Sequence, residues 1–317
     1  MFSKSLIISR IKADKIFVQL LRGGVGFYSF LPFLILKIMP PGIGIVRSLA
    51  FTKVATYCSQ YNAVYNKLVE LDDVPDTIQA YQQNLMVRNI ASYVGWADWA
   101  DVFYLFAQQY NDGGGALINL INPGTFDATL IGGTELTFTS LEGFSRSGIN
   151  QYIRTHYNLS SDGINYSLND AMTCCYLRTD APSLDYLLGT SDGVNGSYIL
   201  PYNGGGPSSL FGINDNASLT SIAGPVNKGF YLANRTASNA REAFINGISK
   251  GSDAQASTAI PDLEMYIMAR NNSGSADQYL DGQVSAFGIG GSITGPQSLI
   301  LTNAIEALMD FNDKGII

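Results

Sequence analysis

Charge is scarce in this chain. Only 14% of its 317 residues are Asp, Glu, Lys or Arg, against about 25% in an ordinary soluble domain. Histidine occurs once and cysteine three times. One histidine leaves little for a Ser–His–Asp triad, no nucleophile elbow is present, and no Cys/His spacing suits zinc. The histidine, His156, sits in Tyr152-Ile-Arg-Thr-His-Tyr157. That segment reads as an alternating strand, and His156 as a surface or packing residue. Cys174 and Cys175 are neighbours, and on a strand they would point to opposite faces. With Cys58 they are expected to be free thiols. The Gly-rich stretches Asp112-Gly-Gly-Gly115 and Asn203-Gly-Gly-Gly206 lack the context of a phosphate-binding loop and read as turns. A membrane span needs about 18–20 apolar residues. The run Gly24–Leu36 falls short, interrupted by Pro32 and followed by Lys37 and Pro40-Pro41. It starts late for a signal peptide, and no small-x-small cleavage site follows.

The net charge of −7 argues against nucleic-acid binding by the whole molecule. Its distribution is uneven. Residues 1–60 hold eight basic residues and one acid, Asp14, which leaves 11 basic and 25 acidic residues beyond, about +7 and −14. A basic, apolar head on an acidic body suggests docking on another surface. Residues 1–50 are therefore read as an anchor segment, buried by a partner or by copies of itself, with membrane association as the runner-up.

From position 52 the periodicity changes. Tyr57, Tyr61, Val64, Tyr65, Leu68 and Leu71 recur at helical spacing. Asp72-Asp73-Val-Pro75 breaks that helix, and Asp76 or Thr77 can cap a second through about Val94, with Ile78, Tyr81, Leu85, Ile90 and Val94 apolar. Asp101–Phe106 reads as a buried strand and Ala116–Ile121 as a short helix. Beyond Pro123 the chain is mainly short strands and Gly/Asn/Ser turns. Phe230–Asn234, Ala243–Gly247, Glu264–Arg270 and Val284–Ile289 are strand-length, separated by turns at 234–239, 249–253, 271–275 and 290–292. A last helix over about 296–310 is capped by Thr294. The pattern predicts a mainly β fold, an antiparallel jelly-roll sandwich with an N-terminal helical region and a C-terminal helix. The organisation read is an anchor at 1–50, a helical region at 51–122 and the sandwich with its final helix at 123–317.

Few residues invite chemistry. Asp262-Leu-Glu264 is the one Asp-x-Glu pair that could share a strand face, as a glycosidase requires, and it reads better as a solvated strand entrance. The oxygen-rich turns at Asp192–Asn195, Asn214–Asn216 and Asn271–Asn272 with Asp277 lack EF-hand spacing and read as Asx turns. Six Asn-x-Ser/Thr sequons begin at Asn158, Asn165, Asn195, Asn216, Asn234 and Asn271. The 18 Tyr and 16 Phe must divide between core and any sugar-stacking surface. No catalytic, cofactor-binding or metal-ligating residue is assigned, and the reading is of a non-enzyme.

Several motifs, taken in order, carry a resemblance. They are Gly95-Trp-Ala-Asp-Trp-Ala-Asp-Val-Phe-Tyr-Leu-Phe-Ala107, Ala116-Leu-Ile-Asn-Leu-Ile-Asn-Pro-Gly-Thr-Phe-Asp-Ala128, Leu136-Thr-Phe-Thr139, Glu142-Gly-Phe-Ser-Arg-Ser-Gly148, Gln151–Asn158, Gly163-Ile-Asn-Tyr-Ser-Leu-Asn-Asp-Ala171 and Cys174–Leu177. Ala243-Phe-Ile-Asn-Gly247, Tyr266–Asn271 and Phe287-Gly-Ile-Gly290 follow. Over roughly 60–312 this order resembles the concanavalin-like, laminin-G-like modules appended to tailed-phage virion proteins. Arg146-Ser-Gly148 stands where that family's Gly-Asp-Gly is expected, so no role of that acid is carried over. The resemblance implies a virion structural protein assembled in the host cytoplasm: a fibre or decoration subunit, homotrimeric by analogy. It would join other virion proteins through its N-terminus and present a head able to bind host glycan. A secreted bacterial carbohydrate-binding or adhesin domain is the first alternative, and a glycoside hydrolase the second.

Overall fold

The structure is a computed structural model describing residues 5–12, 15–21, 56–132, 136–146, 150–181, 184–202, 208–215, 220–223 and 228–317. Residues 1–56 and 57–317 form two compact units. In the first, β1 (Ser5–Lys12) and β2 (Lys15–Leu21) pair antiparallel, Ser5 opposite Leu21 and Lys12 opposite Lys15. The apolar run at 24–36 lies outside the described residues.

The second unit opens with helices α1 (Ser59–Glu70) and α2 (Thr77–Tyr93), then β3 (Ala100–Leu105) and a 3-10 turn at Gly115–Leu117. Short strands follow: β4 (Thr129–Ile131), β5 (Leu136–Thr139), β6 (Gly143–Arg146), β7 (Tyr152–Asn158), β8 (Ala171–Leu177), β9 (Leu188–Ser191) and β10 (Gly196–Leu200). Next are β11 (Ser208–Asp215), β12 (Thr220–Ala223), β13 (Gly229–Ala237), β14 (Ala240–Ile245), β15 (Ile248–Asp253) and β16 (Glu264–Ile267). Then come β17 (Arg270–Asn272), β18 (Ser275–Asp277), β19 (Gln283–Gly290) and α3 (Gly295–Phe311).

Two antiparallel sheets result. The central sheet runs β15-β14-β13-β8-β19-β6-β5, with β3 also along β19; the front sheet runs β12-β11-β10-β9-β16-β7-β4, with the β17–β18 hairpin beside β9. Among the described residues, one ladder between strands is parallel, Asn271 and Asn272 with Thr190 and Ser191. The central sheet is covered on both faces. Tyr104, Cys175, Tyr231, Phe287 and Ile289 face the front sheet's Ile153, Tyr157, Leu188, Ile199, Phe211 and Ile267. On the other side Phe103, Cys174, Tyr176, Phe230 and Leu232 meet Val64, Leu68, Val87, Ile90, Leu301 and Ile305 of the helices. Helices, central sheet and front sheet thus make three layers around two apolar seams. Mainly β with helices near both ends of this unit is the class expected from the strand pattern. Cys174 and Cys175 do enter opposite seams as free thiols, and burial raises both thiol pKa values.

Several local expectations are corrected. The sandwich begins before 123, because β3 at Ala100–Leu105 is one of its strands. Residues 116–121 do not form a helix; only Gly115–Leu117 turns. The stretch at 234–239 is not a turn from its start, since β13 continues to Ala237. Arg235 is fully buried there, its guanidinium donating to the Ile213 carbonyl at 2.8 Å and to Asp215 at 3.3 Å. A paired, hydrogen-bonded charge lets a polar sequence cross the interior. Residues 249–253, also expected to turn, lie in β15, an exposed polar edge strand. On α2, Ile78 is 54% exposed, and the buried face instead includes Gln79, Gln83 and Asn84. Gln83 accepts from the Tyr61 hydroxyl and donates to Gln108, while Asn84 accepts the Cys58 N–H. On α3, Leu299 is 44% exposed rather than part of the core stripe.

The caps follow the sequence more closely. The Asp76 carboxylate accepts the N–H groups of Ile78 and Gln79 at the start of α2. Thr294 and Gln297 form a capping box at the start of α3. Thr294→Ala is expected to cost about 1 kcal/mol, read from the urea midpoint at constant m. Among the sequon asparagines, Asn234 and Asn271 are buried, and Asn234 is bonded on both sides to Ile293. Among the described residues, no helix is long and apolar enough to cross a membrane.

Candidate binding face of the front sheet

The outer face of the front sheet follows from strand alternation. In β7, Ile153, Thr155 and Tyr157 point inward, which leaves Tyr152, Arg154, His156 and Asn158 outside. In β16, Met265 and Ile267 are inward, and Glu264 and Tyr266 lie on the outer side, where neighbouring groups leave Tyr266 only 7% exposed. Register then aligns one outer row: Thr129, Arg154, Tyr266, Gly189, Tyr198 and Gly212. Glycine at 189 fits a crowded place. A Cβ there would lie 3.0 Å from Tyr186 Cδ1 and 3.2 Å from Tyr198 Cβ. At Gly196 it would lie 2.6 Å from Tyr198 Cε1. The small residues make room for tyrosine rings along the sheet.

Five tyrosines gather here in two groups. Tyr152 lies 4.5 Å from Tyr266 and 6.2 Å from Tyr279, centroid to centroid. Tyr186 and Tyr198 meet edge to face at 5.4 Å. Beside them stand two arginine–carboxylate forks. Arg154 donates to Glu264 from Nε (2.5 Å) and Nη2 (2.8 Å). Arg270 donates to Asp277 from Nε (2.9 Å) and Nη2 (2.6 Å), and its guanidinium carbon sits 4.8 Å from the Tyr186 ring centroid. Such two-pronged pairs fix orientation as well as charge.

The backbone is bent at the same place. Between the pairs Asn158–Glu264 and Arg154–Tyr266, three residues of β7 oppose one of β16. His156 takes up the excess with φ of +57°, and its Nε2 lies 2.8 Å from Thr129 Oγ1. Met268 and Gln278, which flank the tyrosines, are also left-handed. Bulges and strained residues concentrate where a sheet re-aims side chains for use.

The phenols of Tyr152, Tyr186, Tyr198 and Tyr279 are neutral donors at ordinary pH. Burial and the neighbouring Tyr266 push Tyr152 up to about 12. Burial likewise raises Tyr186 and Tyr198. Burial works to raise the Asp277 carboxyl, but hydrogen bonds from Arg270 and Asn272 hold it below the usual 3.8. Glu142 behaves alike: burial opposes, and Lys314 and Arg178 hold it below the usual 4.5. Depressed carboxylates stabilise the fold above their unfolded pKa values and lose that contribution as pH falls through the folded ones. The thermal midpoint is therefore expected to hold from pH 7 to about 5 and to fall progressively below pH 4.5. An unchanged midpoint at pH 3 in a circular dichroism series would remove this contribution.

The residues singled out from sequence fall as follows. Asp262 and Glu264 do not face each other in a cleft: Glu264 is held by Arg154, and Asp262 accepts from Asn158 Nδ2 at 2.9 Å. The oxygen-rich turns spend their oxygens locally. Asp192 accepts the Val194 and Asn195 N–H groups, Asn271 accepts that of Gly274, and Asn214 accepts from the Tyr166 and Ser197 hydroxyls. Among the described residues no cluster of three metal-ligating side chains forms. The tyrosine and arginine set was not anticipated, although the alternation of Tyr152, Arg154 and His156 on β7 marks its centre.

No known protein family matches the chain, and no curated protein does. Solved structures match at low identity. The binding domain of botulinum neurotoxin serotype D is 12% identical with a TM-score of 0.45, over 67% of this chain and 52% of that one. Domain 4 of AbnA, a GH43 extracellular arabinanase from Geobacillus stearothermophilus solved with arabinotriose, is 14% identical with a TM-score of 0.40, over 64% and 98%. A Trypanosoma rangeli sialidase mutant displaying trans-sialidase activity is 10% identical with a TM-score of 0.45, over 72% and 39%. The chain spans about half the length of the toxin domain. The likeness extends to the β-sandwich and no further, and none of these three is a virion protein.

Proposed function

We propose that this protein is a carbohydrate-recognition module, not a glycosidase, and that it binds through the outer face of the front sheet. The arrangement of Tyr152, Tyr266 and Tyr279 beside the Arg154–Glu264 fork carries the reading. Sugar rings present C–H faces that pack on aromatic rings and hydroxyls that need donors and acceptors at fixed positions, and this face offers both. The neighbours solved with arabinotriose and, in another neurotoxin structure, with N-acetylneuraminic acid accord with it but do not carry it. A glycan-binding head suits the secreted bacterial setting and the virion setting equally; the virion setting rests on the ordered motifs alone.

The test is binding to a printed glycan array, with titration of any ligand found. Tyr152→Ala and Tyr266→Ala are each expected to weaken binding about tenfold, or about 1.4 kcal/mol, with far-UV dichroism unchanged. No array ligand, or full affinity in both variants, would overturn the proposal. Incubation with the bound glycan should release no new reducing ends. If it does, and Glu264→Gln abolishes the release, the glycosidase alternative replaces this one.

A further inference from the structure

The face has already spent its charges. Both arginines among the tyrosines are held in forks by Glu264 and Asp277. An anionic ligand would meet guanidiniums already neutralised by carboxylates, even where the Arg154 side chain is 40% exposed. The next arginine, Arg146, has no carboxylate partner among the described residues, and it lines a groove of about 460 Å³ with Ser145, Thr179, Asp180, Asp281 and Gln283. The groove lies where β6 and β19 pair, Ser145 opposite Gln283. It adjoins the tyrosine set at Tyr279, which precedes the groove residue Asp281 by two positions.

Resting on the glycan reading above, we infer that the ligand is an uncharged glycan chain and that this groove is the subsite for one of its sugars. Two exposed carboxylates and one half-buried guanidinium give the groove a net negative sign. The chain beyond residue 60 adds to it, with 11 basic against 25 acidic residues. A carboxylated sugar would enter against that field. A neutral sugar meets complementary groups instead. Asp180 and Asp281 accept its O–H groups, and Arg146 donates to its oxygens, while the tyrosines outside the groove are left for the next sugar of the chain. The volume falls within the roughly 300–1,000 Å³ of small-molecule sites.

The test uses the whole chain and two probe sets. One holds neutral gluco-, manno-, galacto-, xylo- and arabino-oligosaccharides from disaccharide to hexasaccharide. The other holds the same chains ending in a uronic or sialic acid. Neutral chains are expected to bind, with an affinity that changes less than about twofold between low and high salt. Asp281→Asn and Arg146→Gln should each weaken the longer chains about tenfold and spare the disaccharides, whereas Tyr152→Ala weakens both. Preference for the acidic chains overturns the inference, as does unchanged binding in both groove variants; in either case the glycan reading stands. Binding to neither set overturns both.

Discussion

Asp101→Ala lowers the unfolding free energy by about 3–5 kcal/mol, measured by urea denaturation. The carboxylate is 8% exposed and accepts five hydrogen bonds. Oδ2 takes the Tyr157 hydroxyl at 2.6 Å and the N–H groups of Ile164 and Tyr166; Oδ1 takes the N–H and side-chain amide of Asn165. Removing it strands those donors in a buried site, where each unmet one costs about 1–3 kcal/mol. Asp101→Asn keeps the shape and only part of the acceptors, so it should fall between wild type and Asp101→Ala. A loss under about 1 kcal/mol for the alanine variant would mean that water replaces the carboxylate. The interaction also joins two of the motifs behind the virion-module resemblance: the first supplies Asp101, and Gly163-Ile-Asn-Tyr166 supplies three of its backbone donors.

Phe287→Ala is expected to cost a similar 3–5 kcal/mol. Its ring is fully buried between the sheets and stacks on Tyr104 at 5.8 Å, with Ala286 turned to the helical side of the same strand. The deletion leaves a cavity in the middle of the central sheet, with strands paired on both sides of β19 and little freedom to collapse. A cost below about 1 kcal/mol would show that the neighbouring rings refill the space.

Much of the architecture was legible along the chain, because it depends on local rules. The buried run of β8, Ala171–Leu177, and the alternation of β7, Tyr152–Asn158, differ as a strand covered on both faces differs from one covered on one. Thr294 and Asp76 are polar residues just ahead of apolar repeats, and both cap helices. Reading failed where a charge or amide was buried by a distant partner. Arg235 looked like a turn residue because Asp215 and the Ile213 carbonyl, which neutralise and bond it, are some twenty positions away. Gln83 and Asn84 lie outside the apolar stripe read for their helix, and their burial likewise depends on partners about 25 positions away.

The candidate site belongs almost wholly to that second class. Tyr152 and Arg154 could be placed on one strand face from spacing alone. That Glu264 holds Arg154, 110 residues on, and that Tyr266 and Tyr279 close around Tyr152, depends on which strands become neighbours. The sequence alone determined the main helices and most strands, the caps at Asp76 and Thr294, the free thiols and the shortage of groups for nucleophilic or metal chemistry, since periodicity and residue inventory are local properties. The tertiary structure alone decided which tyrosines share a face, which carboxylates are already paired and where Arg146 stands without one among the described residues. Those depend on strand order and on the bulge at His156, and pairing between strands far apart in sequence leaves no periodic trace along the chain.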